Sequence, residues 1–393
     1  MEVEKQTVSF ENTEIAFIYK SNSELKRAWW LFSLMNNNLL VKIGTRITPK
    51  LFDIGLPIKG LVKPTIFSQF CGGETMDECA VTTKKLSDHG VETILDYGVE
   101  GKENEEEFDK TANEISKAIV FAGYNHHIPF VSIKVTGIVR FALLEKMHER
   151  NDLNENEMAE WQKAKDRFYS VCKTANENNV GLMVDAEETW IQDPVDELAM
   201  KMMAEFNKEK VVVYNTAQLY RTDRLAFVKR SIAEAKAGNF YLGFKLVRGA
   251  YMEKERKRAQ ELNYASPIQP DKDSSDKDYN AAVTVCMENI ERVSICIASH
   301  NDSSNLLGVE LAMKKGIAST HPHLNFSQLY GMSDNITFNL AHAGYNVSKY
   351  VPYGPVKDVV PYLMRRAQEN TSVGGMSSRE LMLINKELKR RKN

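Results

Sequence analysis

From about residue 61 onward, short apolar runs rich in β-branched and aromatic residues alternate with longer polar segments that carry a helical stripe. The runs fall at 65–70, 92–97, 130–135, 181–186, 210–215, 241–247, 294–299 and 347–351. The striped segments fall at 75–89, 106–122, 157–178, 198–207, 223–237, 303–315 and 356–369. Continuous apolar strands separated by helices predict a parallel sheet covered on both faces. Units of this kind in series, one per run, fit a closed (β/α)8 barrel better than an open sheet. Residues 1–60 lack the rhythm. They hold an amphipathic stretch at 23–35 and the breaker Asn36-Asn-Asn38. The expected division is an N-terminal helical arm over 1–60 and a barrel over 61–393. The charge run at 100–110 reads as a solvated helix start. The segment 265–280, with Pro267, Pro270 and its aspartates, reads as a mobile loop.

Catalytic groups of such barrels stand at the C-terminal ends of the strands. Polar residues close several runs here: Lys134, then Asp185-Ala-Glu-Glu188, Gln218, Lys245 with Arg248-Gly-Ala-Tyr251, Ser299-His-Asn301, and Tyr350. These positions are consistent with one mouth. A lysine inside a central parallel strand costs several kcal/mol unless it is paired, so Lys134 and Lys245 each imply either a structural ion pair or a ligand contact. Asp185 is the first polar group past an apolar strand, either a helix cap or a group facing the mouth. Gly249-Ala250 permits close backbone approach to a ligand, and Tyr251 offers a flat wall.

The helix over 356–369 places Tyr362, Arg365, Arg366 and Glu369 on one face. Adjacent guanidiniums form either surface ion pairs or a fork that grips a carboxylate, a task an ammonium does less well. The pattern therefore points to a small carboxylate ligand. His300 and the pair His321 and His323 lack Glu or Cys at ligand spacing, so no metal site is expected. Asp152-Leu-Asn-Glu-Asn156 resembles half a calcium loop, but Glu157 stands where glycine is required. No G-x-G-x-x-G, phosphate loop or nucleophile elbow occurs, so any bound redox cofactor must be held by the barrel itself.

The 393 residues carry 51 basic and 53 acidic side chains, a net charge of −2, which gives no global attraction to nucleic acid or membrane. No run approaches the roughly 18 apolar residues of a spanning helix, and no strongly basic amphipathic helix stands out. The acidic N-terminus is unlike a signal or transit peptide. Five cysteines without a C-x-x-C pair suggest reduced thiols. The expected location is a cytoplasm, with peripheral contact at an inner membrane.

Taken in order, Ser132-Ile-Lys-Val135, Leu182-Met-Val-Asp-Ala-Glu-Glu188, Lys245-Leu-Val-Arg-Gly-Ala-Tyr251, Ala298-Ser-His-Asn301, Gln328-Leu-Tyr-Gly-Met332 and Tyr350-Val-Pro-Tyr-Gly through Pro361-Tyr-Leu-Met-Arg-Arg-Ala-Gln-Glu-Asn370 resemble the proline dehydrogenase family over about residues 60–375. The likeness is to its single-activity, mitochondrial-type branch, since the chain is too short for the fusion with an aldehyde dehydrogenase. The resemblance implies a distorted (β/α)8 TIM barrel holding FAD non-covalently. It further implies hydride transfer from C5 of L-proline to flavin N5, formation of 1-pyrroline-5-carboxylate and reoxidation by a quinone. By motif position, Arg365, Arg366 and Lys134 would grip the substrate carboxylate. Tyr362, Tyr350 and Leu329 would close over the ring, with Tyr251 lining the site. Asp185, Lys245 and Tyr251 would form the catalytic group. Ala186, Gln218, Lys245, Val247, Arg248, Gly249, Ala250, Ser299, His300, Asn301 and Glu369 would contact FAD, and Glu74 would pair with Arg365 as a lid. Lys245 departs from the arginine of bacterial fusion enzymes and Met252 from their tryptophan. Tyr350 favours proline over hydroxyproline. Alternatives are a hydroxyproline dehydrogenase on the same scaffold, a flavin-less binding protein, and a metal-dependent lyase using His321 and His323.

Overall fold

The computed structural model describes residues 8–53, 58–99, 101–372 and 376–393; for 49, 50, 53, 369–372, 376 and 377 it describes the backbone alone. Eight strands form a closed barrel in sequence order: β1 Glu92–Tyr97, β2 Phe130–Lys134, β3 Gly181–Asp185, β4 Val213–Gln218, β5 Leu242–Val247, β6 Val293–Ala298, β7 Leu324–Leu329 and β8 Val347–Tyr353. The expected (β/α)8 barrel is the observed architecture. The pairings of β1 through β7 are parallel, with Lys134 opposite Asp185 and Thr216 opposite Lys245. Nearly every residue of these strands is buried, the condition under which a strand reads as a continuous apolar run.

Three expectations fail, each for a physical reason. The run at 65–70 is not a strand; it forms a wide helical turn, Lys63–Phe67, and the short helix Ser68–Phe70. Phe67, Phe70 and Cys71 are its buried residues, at the spacing of a helix, and Pro64 opens its first turn. Conversely β7 was not expected, because Asn325, Ser327 and Gln328 interrupt its apolar pattern; these polar side chains are buried, and Gln328 accepts from Thr337 Oγ1 at 2.7 Å. The segment 265–280 is half helical: Lys272–Glu288 is a helix capped by Asp271, whose carboxylate accepts from Ser274 N at 2.7 Å. Asp271 is its cap, Asp273 lies in its first turn, and Asp276 pairs with Lys272 and Arg248.

The chain divides into two compact units, Ile94–Ser327 and Met1–Thr93 with Gln328–Asn393. The first contains the paired strands β2–β6 and their flanking helices. The second has a core of Phe17, Phe32, Phe67, Phe70 and Leu363 among others, and a separate buried ion cluster. In that cluster Asp334 pairs with Lys20 and Lys349, each at 2.9 Å, and accepts from Tyr19 Oη at 2.8 Å. Burial pushes the Asp334 carboxyl up, but the two ammoniums outweigh it and hold it down at about 2. Glu380 accepts from Ser333 N at 2.6 Å. Burial, joined by the Asp334 charge, pushes its carboxyl up to about 7. No helix among the described residues is long and apolar enough to cross a membrane.

Glu380 makes stability fall with rising pH, the reverse of a salt-bridged carboxylate. Its folded-state pKa of about 7 lies above the ordinary 4.5, so between those values the native state holds the extra proton. Glu380→Gln should therefore flatten the loss of stability across that window, a difference of up to roughly 3 kcal/mol. Urea midpoints of both proteins, measured below and above the window, check it; parallel pH dependences would refute it.

Candidate active site

In the unit Ile94–Ser327, the C-terminal ends of consecutive parallel strands carry the charged groups. β2 ends at Lys134 and β3 at Asp185, opposite each other in register. Lys134 Nζ lies 3.2 Å from Asp185 Oδ2 and 3.5 Å from Asp96 Oδ1. Lys245, from β5, reaches past β4 to the other Asp185 oxygen in a close ion pair. Ser132 Oγ donates to Asp96 at 2.7 Å. Two carboxylates and two ammoniums thus alternate, Asp96–Lys134–Asp185–Lys245, with side chains no more than 12% exposed. A buried ion stays charged only when its partners replace water. This chain meets that condition, so a lysine could be accommodated in each of two apolar strands. Asp96 was missed by sequence reasoning; its signal was a carboxylate within an otherwise buried run.

Beyond these, β4 ends at Gln218. Its Nε2 donates to Glu187 O at 2.8 Å, while its Oε1 is buried and has no hydrogen-bond partner among the described residues. Glu187 itself takes Thr136 Oγ1 at 2.5 Å and Thr136 N at 3.2 Å, which fixes the β3 exit. After β5, Arg248 is held three ways: to Asp276 at 2.7 Å, Ser299 Oγ at 2.8 Å and Ser304 Oγ at 2.9 Å. Its guanidinium lies 4.3 Å from the centre of the Tyr279 ring. Asp276, Ser304 and Tyr279 lie on helices well apart in sequence from β5, so no local pattern announces them. Gly249 has φ +136°, and a Cβ there would meet Tyr220 Cε1 at 2.3 Å. Only glycine fits this turn, and it leaves the Gly249 and Ala250 backbone exposed. Val247, Ala186 and Tyr251 are half-buried along the same strand ends. After β6, Asn301 caps the helix Asp302–Lys315 and Ser299 Oγ accepts from Asn301 N at 3.1 Å, with His300 between them.

The unit Met1–Thr93 with Gln328–Asn393 holds the other expected residues. Helix Val356–Ser372 buries Tyr362 and Arg366 and half-buries Arg365. The Arg366 guanidinium lies 5.2 Å from the Tyr362 ring centre, within range of a cation–π contact. Tyr350 is buried in β8 and its carbonyl accepts from Tyr330 N at 2.9 Å, which holds the end of β7 and Leu329 beside it. Glu74 follows a parallel bridge between Gly73 and Tyr353 and is held by Lys59 at 2.9 Å and Lys63 at 2.6 Å. Burial pushes its carboxyl up, but these lysines hold it below the usual range. The Glu369 side chain lies outside the described residues. His321 and His323 precede β7, at the N-terminal end of that strand, and His323 Nδ1 is 2.7 Å from Ile290 O. Asn154 and Glu157 form a capping box that starts the helix Glu155–Glu177, which accounts for the polar stretch around them.

Charged and hydrogen-bonding groups ranged along the C-terminal strand ends of a closed parallel barrel define a barrel enzyme. Comparison with known proteins narrows the class. The family model described as Proline dehydrogenase matches residues 79–379. The mitochondrial proline dehydrogenase 1 of Dictyostelium discoideum is 32% identical, across 97% of this chain and 74% of its own length. The carbapenem antibiotics biosynthesis protein CarD of Pectobacterium carotovorum subsp. carotovorum is 35% identical, across 85% of this chain and 86% of its own length. Among solved structures, proline utilization A (PutA) from Bdellovibrio bacteriovorus, inactivated by N-propargylglycine, matches with a TM-score of 0.72 and 22% identity. That match covers 92% of this chain and 38% of the PutA chain, and it establishes a shared fold. The chain belongs to the proline dehydrogenase family and is an oxidoreductase.

Asp185→Asn would leave Lys134 and Lys245 buried without their shared counter-ion. The expected cost is about 3–5 kcal/mol of folding stability, read from urea denaturation. A midpoint equal to that of the parent protein would show that the two lysines do not depend on this carboxylate.

Proposed function

We propose that the protein is an FAD-dependent proline dehydrogenase that oxidises L-proline to 1-pyrroline-5-carboxylate and passes the electrons to a quinone. The observation that carries the reading is the buried Asp96–Lys134–Asp185–Lys245 chain at the strand ends, in a chain that belongs to this family. When bound, the flavin supplies a hydride acceptor for C5 of the substrate. The residues present fit such a group. Gln218 Oε1 is a buried acceptor with no partner among the described residues, suited to a ring N–H. The exposed Gly249-Ala250 backbone, free of a β-carbon at Gly249, suits close approach of a flat or phosphorylated ligand. Arg248, already fixed by three partners, presents a preorganised positive charge. Val247, Ala186, Ser299, His300, Asn301 and Glu369 complete the proposed cofactor contacts.

In this reading Arg365, Arg366 and Lys134 bind the substrate carboxylate. A guanidinium fork and an ammonium together fix both oxygens, and holding the carboxylate orients the ring carbon that reacts. Tyr362, Tyr350, Leu329 and Tyr251 exclude water from the ring. Asp185 keeps Lys134 and Lys245 charged and aimed, and Glu74 acts at the lid through its lysine partners and Arg365. Hydride loss leaves an iminium, so the amine must be neutral before it reacts.

Three measurements test the proposal. Anaerobic L-proline should bleach the visible flavin band of the purified protein; a colourless protein, or a band that proline leaves unchanged, overturns it. Arg365→Met and Arg366→Met should each raise KM for proline by roughly tenfold to a hundredfold, the worth of a lost charged hydrogen bond. Flavin content should be retained, and unaltered kinetics in both variants would remove the carboxylate role. Tyr350→Ser should shift the kcat/KM ratio toward hydroxyproline, since it frees space for one hydroxyl group. A ratio unchanged in that variant would take Tyr350 out of substrate selection.

A further inference from the structure

Helix Met252–Glu261 follows directly on the segment Arg248-Gly-Ala-Tyr251 at the exit of β5, and it has almost no apolar face. Only Glu255 and Ala259 are buried in it, and its other apolar residue, Met252, is half-buried. One methyl side chain contributes little burial energy, so polar contacts must hold this helix in place. Glu255 is fully buried, an environment that a carboxylate tolerates only with fixed donors.

Those donors come from the exit of β3. Glu255 accepts from Thr189 N at 2.7 Å and from Thr189 Oγ1 at 2.6 Å. Thr189 opens helix Thr189–Phe206, whose own N-cap residue, Glu188, makes no side-chain cap. Helices elsewhere in this unit are capped by the residue just before them, as by Asn104, Asn154, Asp271 and Asn301. Here a carboxylate from another helix does the task, and its charge complements the positive end of the helix dipole. Burial pushes the Glu255 carboxyl up, and its Thr189 donors oppose that rise. Further contacts join the same two segments. Glu188 pairs closely with Lys254, and the centre of the Trp190 ring lies 4.4 Å from the Arg258 guanidinium and 5.6 Å from Lys254 Nζ. Between them the exit of β4 is tied to both sides: Gln218 donates to Glu187 O and Tyr220 N to Arg248 O, each at 2.8 Å. Lys254 is mostly exposed, and an ion pair of that kind contributes little. The buried Glu255–Thr189 pair is therefore the main tie.

We propose that Glu255 is a positioning residue for the flavin: by capping helix Thr189–Phe206 from helix Met252–Glu261, it locks the exits of β3 and β5 at the spacing the cofactor contacts require. The inference rests on the flavin reading given above, whose contacts include Ala186 on one side and Arg248, Gly249 and Ala250 on the other. Glu255 acts through these residues and touches neither substrate nor cofactor.

The test is the Kd for FAD, read from flavin fluorescence as the holoenzyme is diluted. Glu255→Ala and Thr189→Val should each raise it by roughly tenfold or more, the worth of one charged hydrogen bond. Thr189→Val keeps the shape of its side chain, so it carries the test if Glu255→Ala does not fold. Glu255→Gln still offers an acceptor to Thr189 N and should stay within about threefold of the parent. Combining Glu255→Ala with Thr189→Val should add little to either alone, because both break one tie. Amide hydrogen exchange gives a second readout: Thr189→Val should quicken exchange at 249–255, on the opposite segment. A cap that served folding alone would lower the melting temperature and leave Kd where it was. Equal Kd values in the parent, Glu255→Ala and Thr189→Val therefore overturn the inference and spare the flavin reading. A parent protein that binds no FAD overturns both.

Discussion

Asp185 with a lysine on each of its oxygens is the interaction on which the rest of the site depends. It gives Lys134 and Lys245 a common counter-ion in the wall of a parallel barrel, and their two ammoniums in turn offset the burial of its carboxylate. Lys134 is shared with Asp96, which Ser132 orients. The charges thus support one another along the ends of β1, β2, β3 and β5. Replacing water by fixed partners costs stability relative to an apolar core, and the return is a rim whose charges do not have to reorganise when a ligand arrives.

Around that rim the supporting contacts follow one rule: each polar side chain is fixed by a second element. Gln218 is held by the Glu187 carbonyl, Glu187 by Thr136, and Arg248 by two serines and an aspartate. In the other unit, Glu74 is gripped by two lysines, whereas Arg366 rests on Tyr362 of its own helix. Such restraint suits chemistry that relies on holding a small ring in place more than on a reactive side chain.

What could be read from the sequence follows from where side chains face. Charges inside apolar strands, Lys134 and Lys245, were legible because they violate the pattern, and the barrel rhythm was legible because its strands are buried on both faces. β7 was hidden because Asn325, Ser327 and Gln328 are buried too, so an interior polar strand looks like a loop. The segment 65–70 was misleading because its β-branched and aromatic composition suits a strand, while its buried residues follow a helical spacing. The helix Lys272–Glu288 was concealed by aspartates that act as its cap and first-turn charges. The partners of Arg248 come from distant segments, and no local pattern announces them.

In β8, Lys349 is fully buried against Asp334, while its neighbour Tyr350 points by strand alternation to the opposite side. A slip of one residue during assembly would carry the ammonium to the opposite side of the strand and leave Asp334 with one ammonium, that of Lys20, where it now has two. The cluster of Lys20, Asp334 and Lys349 thereby ties the register of this strand to a buried charge balance, which a one-residue shift would upset.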